Sequence, residues 1–225
     1  MDQQMYLMLI GLSLLAALVF SSCVGEKCPR SQLILLGILI LVLLLEISGH
    51  FTATRRINNS LIYNVGWVYM ESFCLISYFL VFEKDEAFAK KFKPWMFAAF
   101  AWGGINSLFF QSITEQFQYF SFLPLALLIL FLSGRTLFKL VNLELFPGES
   151  LPNIPHFWTS TAVLFFHVEA IILFGAYQFF PEFVVAHVKV LFGLNRFVAA
   201  LMYLSFGFSF FLPWLARRKS WSVNL

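Results

Sequence analysis

Charge is scarce in this sequence. Of its 225 residues, 12% are Asp, Glu, Lys or Arg, where soluble domains carry about 25%. That shortage excludes an ordinary water-soluble domain and makes lipid the solvent for most of the chain. Aspartate is rarer still, with Asp2 and Asp85 the two copies. Basic runs are also missing: the net charge of +3 is scattered, and no cluster of cations is interleaved with aromatics. Nucleic acid is therefore not an expected partner. The three cysteines, Cys23, Cys28 and Cys74, are too few for a disulfide framework. A CxxxxC spacing with no histidine nearby makes a poor zinc site.

Further absences narrow the chemistry. None of the apolar runs has, inside its ends, the lysine that a retinal Schiff base needs. The histidines are His50, His156, His167 and His187. No two of them stand in the His-x-x-x-His spacing of seven-helix metal hydrolases. The intramembrane protease signatures GxSxG and GxGD are missing. A b-type haem needs two facing histidines at one depth, and His50 and His187 are both expected near one surface. No nucleophile–base pair is visible, so a lipid-directed enzyme has little support. No cofactor and no metal are expected.

What the sequence has is apolar length. It is 60% hydrophobic and 19% aromatic, with 30 Phe, and its mean hydropathy is +0.81. A hydrocarbon core of about 30 Å takes about 20 helical residues. Seven runs qualify: 5–25, 32–50, 61–82, 95–111, 119–139, 157–180 and 190–214. The expected fold is an all-α polytopic bundle of seven transmembrane helices, one domain over 1–215, followed by a basic cytoplasmic tail at 216–225. The first run ends in a lipobox-like VFSSC. It lacks the positive n-region of a signal peptide, and no soluble domain follows, so it is read as the first membrane helix.

Seven spans sort the cations. Lys27, Arg30, Lys84, Lys90, Lys91, Lys93, Arg135, Lys139, Arg217, Arg218 and Lys219 fall on one side, against Arg55, Arg56 and Lys189 on the other. The positive-inside rule then puts the N-terminus outside and the C-terminus in the cytoplasm. Trp95, Trp158 and Trp214 fall at the cytoplasmic ends, where indole rings prefer to sit. The longest loop, 134–156, opens with a pattern suited to a surface helix and closes in a Pro-rich linker. Gly103-Gly104 is expected to break the fourth helix.

The polar residues inside these runs carry the functional question. On an α-helix, Asn64, Trp67, Glu71, Cys74 and Tyr78 share one stripe. Ile62, Val65, Tyr69, Phe73, Ile76 and Leu80 form the opposite side. A carboxylate facing lipid is costly, so Glu71 is expected to face the bundle interior. Glu46 and His50 stand one turn apart in the second run. His167 and Glu169 stand in the sixth, about 200° apart around the axis. Arg196 lies about two turns into the last run, with Tyr203 and Gly207 beyond it. The simplest pairing joins Arg196 to Glu46. The candidate ligand-binding set is Glu46, His50, Asn64, Trp67, Glu71, His167, Glu169 and Arg196. It reads either as an outward-facing pocket or proton path, or as a structural network.

The stretches NNSLIYNVGWVYMESFCLISYFLVF (58–82) and PHFWTSTAVLFFHVEAIILFG (155–175) resemble the third and sixth helices of small uncharacterised seven-helix membrane proteins of the Bacteroidota type. Asn58, Asn59, Tyr63, Asn64 and Glu71 carry the first likeness, Phe157 and Trp158 the second. The resemblance implies a sensor-like module of the bacterial inner membrane and brings no established activity. His167 and Glu169 depart from the pattern. The expected function is a receptor-like or accessory protein. It binds a small ligand or lipid from outside and acts through a cytoplasmic or membrane signalling partner, with membrane lipids around it. A small proton-coupled transporter or channel using Glu71 or Glu169 is the alternative.

Overall fold

The computed structural model describes residues 1–23, 28–81, 83–142 and 144–222, with side chains for all of these except Cys23 and 213–222. Lys27 and the side chains of Trp214, Arg217, Arg218 and Lys219 fall outside the described residues. Among those described there is no strand. The long helices are α1 (Gln3–Cys23), α2 (Arg30–Thr54), α3 (Ser60–Val81), α4 (Glu86–Phe109), α5 (Tyr119–Val141), α6 (Pro155–Phe179) and α8 (Val188–Ser222), with a short α7 (Pro181–Ala186) between the last two.

Six of these, all but α4 and the short α7, are long and apolar enough to cross a membrane. Helix α4 has 24 residues, which is about 36 Å of rise. Its first two turns carry Glu86, Lys90, Lys91 and Lys93, and these lower its hydropathy. It begins at Asp85, whose side chain accepts a hydrogen bond from the Phe88 amide at 2.9 Å. That is a standard N-cap. It then runs antiparallel along α5: Phe88 and Phe92 lie against Phe131, and the Trp102 indole donates to the Phe120 carbonyl at 2.8 Å. Gly103-Gly104 does not break it. Gly103 makes room for the ring of Tyr69, whose hydroxyl donates to the Gly103 carbonyl at 2.9 Å.

The helices form an arc in the order α4, α5, α6, α8, α1, α2, and α3 packs against α2 and α5. The outward surface explains the composition. Leu108, Phe109, Ile172 and Phe165 are each more than 60% exposed. Such an apolar exterior is an aggregation hazard in water and suits lipid. The inward surface follows helical spacing: in α5, Phe122, Leu125, Ala126, Ile129 and Leu132 are buried, the i, i+3, i+4, i+7 pattern of one packed face.

Residues 134–141 continue α5 and do not form a separate surface helix. The cause is an ionic cluster at the loop end of α3. Glu83 accepts from Arg135 Nε at 2.8 Å and from Lys139 Nζ, while Arg135 also reaches Asp85 at 3.4 Å. Leu140, Leu145 and Ile154 then close a small satellite core. Burial by itself would raise the Glu83 carboxyl; the hydrogen bonds from Arg135 and Lys139 outweigh it and hold the group below the usual carboxylate range. A depressed folded-state value means the stabilisation is complete above the unfolded value, near pH 4.3, and is lost as pH falls through the folded one. Glu83→Gln is expected to lower stability by about 2 kcal/mol at pH 7. The gap should close as pH falls through the depressed folded-state value, as read by thermal unfolding in lipid nanodiscs. A gap independent of pH would show that the carboxylate charge is irrelevant.

Candidate functional site

The middle of α3 places the site. Residues Asn64–Glu71 are π-helical, between α-helical Ser60–Tyr63 and Ser72–Val81. Such segments inside α-helices occur frequently at functional sites. Asn64, Gly66, Val68 and Glu71 are buried along it, while Val65 and Met70 are exposed. At Gly66 α3 lies close to α2: a Cβ would fall 2.2 Å from Leu45 Cδ2. Most of the expected stripe therefore does turn inward. The opposite side is less clean than the sequence suggests, because Ile76 is fully buried.

A cavity of about 560 Å³ opens among the ends of α1, α2, α3, α6 and α8. At its floor, Glu71 accepts from the Tyr203 hydroxyl at 3.0 and 3.2 Å to its two oxygens. Both side chains are buried, and Tyr6 lies beside them in the lining. Further along the bundle the core is closed by Leu75, Tyr78, Met202 and Phe206, each at most 1% exposed. The cavity thus has one end.

Its wall is aromatic. The Trp67 ring lies 5.1 Å from Phe122, 5.1 Å from Phe174, 5.7 Å from Phe117 and 6.2 Å from Phe166. Phe117 comes from the α4–α5 connection, and Asn64 holds that segment in place. Its Nδ2 donates to the carbonyls of Ile113 and Gln116 at 2.8 Å each, and its Oδ1 accepts from the Gln118 amide at 3.1 Å. Behind this segment lies a buried amide cluster in which Asn106 Nδ2 contacts Gln111, Gln118 and Ser121.

Its rim is polar. Glu46 accepts from Gln3 Nε2 at 2.9 Å and from the Tyr63 hydroxyl at 3.1 Å. Arg196 donates to Gln3 Oε1 at 3.3 Å and to the Phe192 carbonyl at 3.1 Å. The expected direct pairing of Arg196 with Glu46 is therefore corrected: Gln3 stands between them and bonds to both. The polar start of α1 looks in the sequence like a helix flank, which is why Gln3 escapes notice there.

Of the eight expected residues, Glu46, Asn64, Trp67, Glu71 and Arg196 line the cavity. His50, His167 and Glu169 do not. His50 is exposed on the outer surface, because Gly49 takes the inward position against Tyr63. His167 is buried but bonds to the Val163 carbonyl of its own helix at 2.9 Å; its neighbour Phe166 faces the cavity. Glu169 accepts from Asn195 at 2.8 Å and so stands behind a lining residue. Tyr6, Tyr63, Phe166 and Phe174 join the lining without any polar-in-apolar signal to mark them. Among the described residues no three His, Cys, Asp or Glu side chains converge as a metal site would require.

No protein family matches this chain, and no curated protein or solved structure is similar to it.

Proposed function

We propose that this is a receptor-like or accessory protein of the bacterial inner membrane that binds a small ligand or lipid from the outer side and acts through a partner. In this reading α4 is a seventh span. The loops rich in Lys and Arg are then cytoplasmic and the cavity mouth faces outward. The observation that carries it is the one-ended cavity. Its volume of about 560 Å³ lies inside the 300–1,000 Å³ usual for small-molecule sites. Apolar walls with a few converging polar groups are the usual composition of such sites. Signalling falls to a partner at the basic loops, which hold no domain-sized segment.

The test is purification from native membranes in mild detergent, followed by mass spectrometry of small molecules and proteins that come with it. Wild type is expected to retain a near-stoichiometric small molecule that Glu71→Leu loses, at equal yield of folded protein. Identical contents in the two preparations would overturn the pocket.

One observation favours transport as a second reading. Glu71 has no ion-pair partner among the described residues, and membrane carboxylates of that kind recur in proton-coupled carriers. Proton-driven uptake into proteoliposomes, lost in Glu71→Gln, would decide for it.

A further inference from the structure

The lining of the cavity is unbalanced in charge. It holds Glu46, Glu71 and Glu115 against the single cation Arg196. These groups are not equally provided for. Glu46 has two donors, Gln3 and Tyr63. Glu71 has the Tyr203 hydroxyl alone, although it is 1% exposed. Arg196 does not serve Glu71. It is held at the rim by Gln3 and Phe192, and seven residues of helix separate it from Tyr203, about 10 Å of rise. The titratable groups facing Glu71 from the packed helices are Tyr203 on α8, Tyr6 on α1 and Glu46 on α2. None of them is a cation.

We propose that the cavity takes a ligand bearing an ammonium group, seated on the Glu71 carboxylate with its organic body between the rings of Trp67, Phe117, Phe166 and Phe174. The proposal rests on the ligand-binding reading above and names the ligand class. Two physical terms act together. A buried carboxylate without a countercharge is costly, and a cation seated on it relieves that cost, set against the loss of the cation's own hydration. Aromatic faces attract the same cation through the ring quadrupole, most strongly for tryptophan. A bare proton would also neutralise Glu71, but a proton has no use for a ring-walled cavity of this volume. A carboxylate or phosphate ligand would meet three carboxyl groups in the lining and one guanidinium already engaged.

The experiment uses the whole protein in lipid nanodiscs and three probes of one shape: 2-phenylethylammonium, neutral 2-phenylethanol and anionic phenylacetate. Binding is read by saturation-transfer NMR and titration, with empty nanodiscs subtracted. The ammonium probe is expected to bind at least tenfold more tightly than the alcohol. Glu71→Gln, whose amide oxygen still accepts from Tyr203, should erase that preference. Equal binding of ammonium and alcohol by wild type overturns the proposal, and this comparison needs no variant. A preference that survives in Glu71→Gln also overturns it. Preferred binding of phenylacetate, lost in Arg196→Gln, would sink the ammonium assignment while leaving the pocket standing. If none of the three binds, the ammonium assignment fails, and the co-purification result judges the pocket separately.

Discussion

Gly207→Val is expected to part the first and last helices and to cost about 3 kcal/mol, at the upper end of what overpacking does. Helix α1 packs closely on α8 here. A Cβ on Gly207 would lie 2.6 Å from Ser13 Oγ, 2.8 Å from Ser13 O and 3.0 Å from Ser13 Cα. The hydroxyl can rotate away; the carbonyl and the α-carbon cannot. The same contact carries two hydrogen bonds, Ser13 Oγ to the Tyr203 carbonyl and the Gly207 amide to Ser13 Oγ. Within a bilayer, helices associate through such close packing and interhelical bonds, because lipid tails are as apolar as leucine. Gly104 is the control. Nothing lies within 4 Å of a Cβ there, so Gly104→Val should change the melting temperature far less. Thermal unfolding of both variants in nanodiscs reads the difference. Equal melting temperatures would mean that α1 and α8 do not meet in this way.

Trp67→Ala is expected to cost a similar amount for a different reason, and to remove ligand binding as well. The indole is the hub of the aromatic wall, with four phenylalanine rings between 5.1 and 6.2 Å away. Its removal leaves space that these rings, on three separate segments, cannot all collapse into. In a membrane protein the transfer term is small, but the cavity term persists, because lost dispersion contacts do not depend on water. Truncating Trp or Phe in a core costs about 3–5 kcal/mol, and about 3 is expected here since Trp67 lines the cavity and is not packed on every side. Trp67→Phe should recover much of the stability. A Trp67→Ala protein with unchanged melting temperature and unchanged retention of its small molecule would remove the wall from the account. The two substitutions separate fold from site: Gly207→Val acts at a helix contact beside the cavity, Trp67→Ala at the cavity itself.

The residues differ in how far their roles can be read without coordinates. Glu71, Trp67 and Asn64 announce themselves, because polar groups recurring on one face of an otherwise apolar run must turn away from lipid. Arg196 does so as well. His50 misleads: it shares a face with Glu46, yet a one-turn offset along a helix end carries it out past the last packed residue. His167 misleads in another way. A buried polar side chain can be satisfied by its own helix, as the Val163 carbonyl does here, and spacing cannot distinguish that from a bond across the bundle. Gln3 goes unmarked because a polar residue at the start of a helix has an ordinary explanation.

Scarcity of charge and the apolar runs by themselves pointed to lipid as the solvent and determined the all-helical class and the inward turn of most of the α3 stripe. These are one-body properties: each follows from a side chain's own cost in lipid and from the 3.6-residue period. The tertiary structure decided everything that requires two elements to meet. It set the neighbours of α3, the π-helical stretch that delivers Glu71 to Tyr203, the placement of Gln3 between Arg196 and Glu46, and the clamp by which Asn64 brings Phe117 into the wall. Partners of that kind depend on which helices pack together and at what register. Small residues such as Gly66 and Gly207 settle that by permitting approach, and a permissive contact leaves no mark in periodicity or charge.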